Sequence, residues 1–227
     1  MTELQQISPQ ELLGPLNDIE AKNLPSVLFA LGDSGVFGNA SMVSVVGTRK
    51  PTSDGVRRCK ALVRALVRRG MVVVSGLAEG IDTVAHRTAI ELGGKTVAVV
   101  GSGADRPFPR SNVELWNLIA THHLLLSQFA PGVPPIRNNF PQRNRTMAIL
   151  SDATVIIEAG EGSGTIHQGW EALRLGRPLF LMESLTTQGN LTWPAKMVHY
   201  GAVVLSRDNL EAVLDTMPTR SRGELAF

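Results

Sequence analysis

With 227 residues, 43% of them hydrophobic and 19% charged, the chain is long enough for one well-buried core and at most a small appendage. A formal charge of only +2 means that the distribution of cations, rather than their total, decides what the surface attracts. A lone cysteine, Cys59, excludes an internal disulfide framework and fits a reducing cytosol, and no apolar run approaches a membrane span.

Met1 to Glu11 are polar and carry no signal-peptide core. Residues 1–40 read as a lead-in. Leu12, Leu13, Leu16 and Ile19 share one face of a single short amphipathic helix, Pro25 to Asp33 form an extended strand ending in a turn, and Gly38-Asn39 marks a second turn. From residue 41 to 217 a strand–turn–helix rhythm defines the main domain, and residues 218–227 read as a flexible tail, frayed from Arg220 to Phe227.

The rhythm opens with Met42-Val-Ser-Val-Val, a β-branched run that stops at Gly47, Thr48, Arg49 and Lys50. Pro51 to Asp54 supply capping residues, and Val56, Cys59, Leu62, Val63, Leu66 and Val67 recur at helical spacing. Cys59 falls on that apolar face and reads as a small buried hydrophobe. A buried strand, a tight turn and a helix opening on free N–H groups make an anion-binding arrangement. The next strand is Met71 to Val74, followed by the turn Ser75 to Asp82 and a helix through Leu92. Lys95 to Val100 is a strand ending at Gly101-Ser102-Gly103. A helix over Asn112 to Ala120, a strand over Leu124 to Gln128 and a proline-rich loop over Ala130 to Pro141 follow. Then come a short helix over Arg143 to Leu150, a strand over Ala153 to Glu158 and a glycine turn at Gly160 to Thr165. A helix over Ile166 to Leu175 precedes a strand over Pro178 to Met182, and the last unit is Ala202 to Leu205 with a helix from Asp208 to Thr216.

Continuous apolar strands alternating with helices specify a doubly wound α/β domain on a mostly parallel sheet covered on both faces. In such sheets ligands bind outside the carboxyl ends of the strands. Gly47, Gly76, Gly101, Gly103, Gly162 and Gly164 all follow expected strands, so all belong to one edge. For any single turn, tight strand-to-helix packing explains the glycine. Several such turns, each beside Ser, Thr, Arg or Asp, favour a pocket for phosphate or a nucleotide.

Cations gather in two places. Arg57, Lys60, Arg64 and Arg68 share one helix face, and the far end (Arg64, Arg68, Arg69) reads as ordinary solvated surface, whereas Arg49 and Lys50 flank the glycine turn. The second group, Arg137 to Arg145, mixes cations, amides and Phe140 at a loop-to-helix junction suited to phosphates and a splayed nucleotide chain. The histidines suggest no chemistry: Asp82 reads as the N-cap of the helix carrying His86, and His122-His123 ends a helix where imidazolium suits the dipole. No metal constellation, cofactor motif or catalytic triad stands out.

The segments V-V-G-T-R-K-P-T, V-V-S-G-L-A-E-G-I-D-T-V-A-H, V-G-S-G-A-D, N-F-P-Q-R-N-R-T-M-A-I-L-S and I-I-E-A-G-E-G-S-G-T resemble, in order, the core of the DNA-processing protein A (DprA, or Smf) family, and P-S-V-L-F-A-L-G-D resembles its lead-in. The resemblance implies an extended Rossmann-like fold, a non-enzymatic cytoplasmic homodimer, sequence-independent binding of single-stranded DNA, and delivery of that DNA to the recombinase RecA in transformable bacteria. Carried over by residue, it implies a DNA pocket lined by Gly47, Thr48 and Arg49, by Ser75, Gly76 and Gly80, by Gly101 and Gly103, and by Asn144 and Arg145. Lys50, Ser102, Arg143, Ser163, Gly164 and Thr165 complete the expected phosphate-binding set, with no catalytic residue and no cofactor.

Three departures from the family pattern stand out. The helical N-terminal domain is expected to be reduced to some forty residues, and the winged-helix domain that often follows the core to be absent. After Ser163-Gly164-Thr165 the family usually continues with a threonine–alanine helix, where this chain has Ile166-His167-Gln168-Gly169-Trp170-Glu171. A later V-P-G segment is replaced by Met182-Glu183-Ser184. The alternative readings are a nucleotide-binding or nucleotide-hydrolysing domain like the LOG phosphoribohydrolases, with Glu171 as its acid, and an interaction module that kept the fold without the ligand. Glu171 itself reads as an exposed helix charge.

Overall fold

The computed structural model of the chain describes residues 3–38 and 40–217. Its centre is a nine-stranded sheet in the order β1-β2-β6-β5-β4-β3-β7-β8-β9. The strands are β1 (Gln5–Ile7), β2 (Leu28–Gly32), β3 (Met42–Val46), β4 (Val72–Ser75), β5 (Thr96–Val100), β6 (Leu124–Ser127), β7 (Ala153–Ile156), β8 (Leu179–Met182) and β9 (Val203–Leu205). From β6 to β9 every neighbouring pair is parallel, whereas β1 pairs antiparallel with β2 and β2 with β6. The strand order reverses at β3, between β4 and β7, which is the switch point where doubly wound sheets hold ligands.

Ten α-helices and two short 3-10 helices occur among the described residues. Those that matter for the site are α3 (Ser53–Arg68), α4 (Ile81–Glu91), α5 (Val113–His122), α6 (Asn139–Leu150) and α7 (Gly164–Arg174), with α10 (Leu210–Asp215) behind α3. Right-handed crossovers put α3, α4 and α5 on one face and α6 and α7 on the other, and α3 packs on α4 as α6 packs on α7. Both faces are therefore covered. Val97 and Val99 of β5 join the main apolar cluster, while Ala98 and Val100 join a second cluster with Leu115, Trp116 and Ile119. Successive residues of one strand are buried on opposite faces, which is why the strands read as unbroken apolar runs rather than alternating ones. Cys59 is fully buried on α3, and its thiol is pushed up to about 12 by burial.

The lead-in differs from its sequence reading. Instead of one helix there are two, α1 (Pro9–Leu13) and α2 (Asp18–Asn23), each opened by a reciprocal capping box from Ser8 or Asn17. Gly14, at φ +70, and Pro15 end the first, because proline cannot continue a helix and the glycine supplies the left-handed turn. Ile19 is consequently exposed rather than on an apolar stripe. β1 is an addition, as are α8 (Glu183–Thr186) and α9 (Trp193–His199), which the sequence reading passed over. The helix expected from Arg143 begins at Asn139, inside the supposed loop. Asn39 of the second lead-in turn and the tail expected at 218–227 lie outside the described residues.

Candidate functional site

The turns after β3, β4, β5 and β7 meet at one end of the parallel strands and enclose a groove with two compartments. The β3 turn is held from across the switch point. Thr48 donates its N–H to the Glu158 carbonyl at 2.7 Å, and Thr52 donates its N–H at 3.0 Å and its hydroxyl at 2.8 Å to the Glu158 carboxylate. The Thr52 hydroxyl also caps α3 by accepting from Gly55. Glu158 thereby fixes the loop that carries Thr48, Arg49 and Lys50 without itself facing the groove. Sequence reading missed this role, since nothing local pairs Glu158 with a loop 106 residues earlier.

The first compartment, about 220 Å³, is mostly aromatic and apolar: Leu77, Phe108, Pro109 and Phe140 line it together with Arg49, Gly76, Gly101 and Ser102. The Arg49 guanidinium lies 5.8 Å from the Phe140 ring centroid, and Phe108 and Phe140 face each other with centroids 6.1 Å apart. Glycine at 76 and 101 follows from close approach. A Cβ at Gly76 would collide with the Arg143 guanidinium, and one at Gly101 would lie 2.9 Å from the Phe140 ring. These two glycines thus seat the α6 side chains that build the compartment.

The second compartment, about 470 Å³, lies between the β3 turn and the start of α7. Gly47, Thr48, Arg49 and Lys50 form one wall, and Gly160 to Thr165 form the other, with Asn144, Met147 and Gln168 also lining it. Ser163 caps α7 by accepting from the Thr165 N–H, and the Thr165 hydroxyl donates to the Gly47 carbonyl at 3.0 Å, closing the two walls together. A glycine-rich turn at a helix N-terminus beside two cations is a place for an anion. Arg49, Ala78, Phe140 and Arg143 line both compartments and so form the partition between them.

Beneath the partition lies a buried charge pair. Arg143 is 6% exposed, and its Nη1 donates to the carbonyls of Gly76 at 2.5 Å and Val99 at 2.7 Å, while Nε donates to Asn144. Asp82, 5% exposed, accepts from the N–H groups of Gly76 and Ala78. Burial pushes the Asp82 carboxyl up from its ordinary value and the Arg143 guanidinium down, and each is pulled back by the charge of the other. Asp82 was expected to cap its helix. Gly80 is the N-cap instead, and the carboxylate reaches back to tie the turn after β4, a choice that satisfies two interior N–H groups.

Of the residues expected at the site, the structure brings Gly47, Thr48, Arg49, Lys50, Gly76, Gly101, Ser102, Arg143, Asn144, Ser163, Gly164 and Thr165 to the groove. Four others fall outside its lining. Ser75 is fully buried and donates to the Val45 carbonyl, and Gly80, at φ +80, turns the chain into α4. Gly103 donates to the Val133 carbonyl. Arg145 turns away from the groove and pairs with Glu171 at 2.8 Å. Glu171 also takes Arg174 at 2.8 Å, and against burial, which raises it, the two guanidiniums hold its carboxyl below the usual range. It is a half-buried bridging acid rather than an exposed charge. Phe108, Leu77 and Gln168 are groove residues that the sequence reading did not select.

His86 is fully buried on α4, with Nδ1 2.7 Å from the Thr96 hydroxyl, and burial, followed by the charges of His123 and Arg143, drops its pKa to about 3. Among the described residues, no three His, Cys, Asp or Glu side chains gather as metal ligands, and no helix is long and apolar enough to cross a membrane.

Residues 9–217 match the family model for DNA recombination-mediator protein A. The DNA processing protein DprA of Bacillus subtilis is 34% identical over 197 residues, which is 87% of this chain and 66% of that protein. The chain spans between 58% and 66% of the length of the first three curated relatives it matches. Among solved structures, DNA processing protein A from Streptococcus pneumoniae superposes with a TM-score of 0.81 at 30% identity, covering 95% of this chain and 75% of that one. DNA processing protein A from Helicobacter pylori, a protein with a described single-stranded DNA binding mode, superposes with a TM-score of 0.80 at 25% identity, covering 95% of each chain.

Proposed function

Because this chain belongs to the DNA recombination-mediator protein A family, we propose that its strand-end groove binds single-stranded DNA without sequence preference and that it handles DNA rather than transforming it. The observation that carries the reading is the two-compartment groove partitioned by Arg49 over Phe140. An aromatic compartment suits an unstacked base, the glycine turns and the helix N-terminus around the second compartment suit the sugar–phosphate chain of the next nucleotide, and a cation at the partition suits the phosphate between them. One small phosphate ester would leave half of the groove unused. The single-stranded DNA binding mode of the Helicobacter pylori protein, which has the same fold over nearly its whole length, supports the same conclusion. On this reading the protein acts in DNA processing and recombination, including natural transformation, as a cytoplasmic homodimer that hands its strand to a RecA-type recombinase.

The competing reading, a nucleotide-hydrolysing domain, needs a free carboxylate at the groove. Among the described residues three acids line the groove and each is engaged: Asp82 ties the turn after β4, Glu79 accepts from the Ser111 hydroxyl and Glu161 from the Thr192 N–H, while Glu171 lies between Arg145 and Arg174 outside the lining, which counts against that chemistry. Fluorescence anisotropy with labelled oligonucleotides at several salt concentrations, run beside free nucleoside monophosphates, tests the proposal. Oligonucleotide binding that weakens linearly in log salt is the expected result. Binding or cleavage of a free nucleotide with no oligonucleotide binding would overturn it.

A further inference from the structure

We propose that Gln168 reads the hydrogen-bonding edge of a nucleobase at the bottom of the second compartment, so that the groove accepts two successive nucleotides, one base in each compartment. The inference rests on the single-stranded DNA reading above and deepens it.

Gln168 lies one turn into α7, is 1% exposed, and lines the second compartment together with Met147. Among the described residues neither its Oε1 nor its Nε2 has a hydrogen-bond partner. A buried amide with both atoms unbonded costs folding free energy, and natural interiors leave few such groups without a reason. The helix does not require one here, since the neighbouring buried positions, Gly169 and Ala172, are small and carry no polar side-chain atom. An amide in this state is a recognition group waiting for its complement.

Its chemistry narrows the complement. A phosphate would be met by the positive end of α7 and by Arg49 and Lys50, which line the same compartment. A neutral amide offers a donor and an acceptor side by side, and the edges of the nucleobases offer the matching acceptor and donor. A sugar hydroxyl would use the pair less fully, because it brings a single oxygen. The amide can turn over and exchange its two atoms, so one residue can serve different bases, as a binder without sequence preference needs. The volume agrees: about 470 Å³ falls in the range of small-ligand sites and exceeds what a phosphate alone would fill, and Met147 gives the base an apolar neighbour. With one base against Phe108 and Phe140 in the first compartment and the next above Gln168 in the second, the linking phosphate falls at the shared Arg49.

The test compares labelled oligothymidylate with a strand of equal length made of abasic sites, for the wild type and for Gln168→Leu. The wild type should prefer the base-bearing strand. Gln168→Leu should lose about three- to tenfold on oligothymidylate, the worth of one or two neutral hydrogen bonds, and nothing on the abasic strand. The same variant should unfold at a higher temperature, because it removes two unpartnered buried polar atoms. A purely structural glutamine would move stability the other way and would weaken both strands alike. Gln168→Met, unbranched and similar in length, repeats the comparison if Leu does not fold, and failure of both to fold would overturn the proposal, as would equal losses on the two strands or no loss on either. A wild type that binds neither strand would instead overturn the single-stranded DNA reading itself.

Discussion

Two basic stretches flank α3, and their sequences look alike: Arg49-Lys50 stands before the helix and Arg68-Arg69 at its end. Their surroundings differ. Arg69 is clasped by Glu211 at 2.6 Å and Asp215 at 2.8 Å, and Arg68 reaches Glu211 at 3.4 Å. Among the described residues Arg49 has no carboxylate within ion-pair distance and lies over Phe140 at the partition of the groove. Both clasping acids come from α10, more than 140 positions later in the chain. Whether a cation is available to a ligand is thus decided by which acids the fold delivers to it, not by how many cations stand together. Arg143 shows a third outcome, a cation drawn into the interior as a strut between the turn after β4 and the end of β5.

The comparison breaks most visibly at Arg143. Arg143→Ala should cost about 3–5 kcal/mol of unfolding free energy, because it leaves the Asp82 charge buried without its counterpart and two carbonyls without a donor. Urea denaturation reads this directly. Pairing Arg143→Met with Asp82→Asn should cost clearly less than the two single changes added together, since the uncompensated charge goes away. A cost below about 1 kcal/mol for Arg143→Ala would return that arginine to the class of groove cations.

A base that is buried and faced by other cations must go neutral instead, and His86, opposed by burial and by the charges of His123 and Arg143, sharpens the contrast. Its folded pKa, about 3, lies below the ordinary 6.5, so above pH 6.5 it is neutral in both states and contributes no pH dependence. As pH falls below 6.5 the unfolded chain takes the proton first, and stability drops by up to about 1.4 kcal/mol per pH unit. Between pH 6.5 and 5 most carboxylates stay ionised, and Asp82, whose carboxyl pKa is raised by burial, acts in the opposite direction to the histidines, so the total slope is a balance of the two. His123, also held below its usual value by burial, adds in the same direction as His86. The diagnostic is the portion that His86→Leu removes, and an unchanged slope in that variant would contradict the assignment.

How much of this was legible follows from the range of each interaction. The parallel strands from β3 to β9 and the glycine turns at their carboxyl ends were readable, because apolar runs and turn residues are local signals. The antiparallel attachment of β1 and β2 was not, since nothing in Leu28–Gly32 names β6 as its partner. The break between α1 and α2 is written locally as Gly14-Pro15, a stop signal that outweighs the leucine spacing around it. Burial of Arg143 also had a signal: Asn139, Arg143, Met147 and Leu150 fall on one stripe of α6, all buried, so the arginine sat at a core position of its own helix. The removal of Arg145 from the groove had none, because its partner Glu171 lies on another helix.

Arg49→Ala should weaken single-stranded DNA binding by about 1–3 kcal/mol while leaving the fold intact, since that guanidinium makes no ion pair to lose. A contact to phosphate should cost the same on every sequence and flatten the slope of log affinity against log salt by roughly 0.7. Loss confined to particular sequences would mean that Arg49 touches bases instead.

Arg68→Ala carries the smallest expected effect and decides whether the comparison holds. Its side chain is 62% exposed and its link to Glu211 is long, so the stability change should stay within about 0.5 kcal/mol. It removes the same unit charge as Arg49→Ala from the other end of the same helical segment. α3 spans 16 residues at about 1.5 Å each, which places Arg68 more than two Debye lengths from the groove at physiological salt. DNA affinity at that ionic strength should therefore be unchanged, and a small loss should emerge only as salt is lowered toward 10 mM, where the screening length grows to roughly 30 Å. Equal losses for Arg68→Ala and Arg49→Ala at physiological salt would mean that the outer face of α3 holds the strand. The unpaired cation at the glycine turn would then have no special standing.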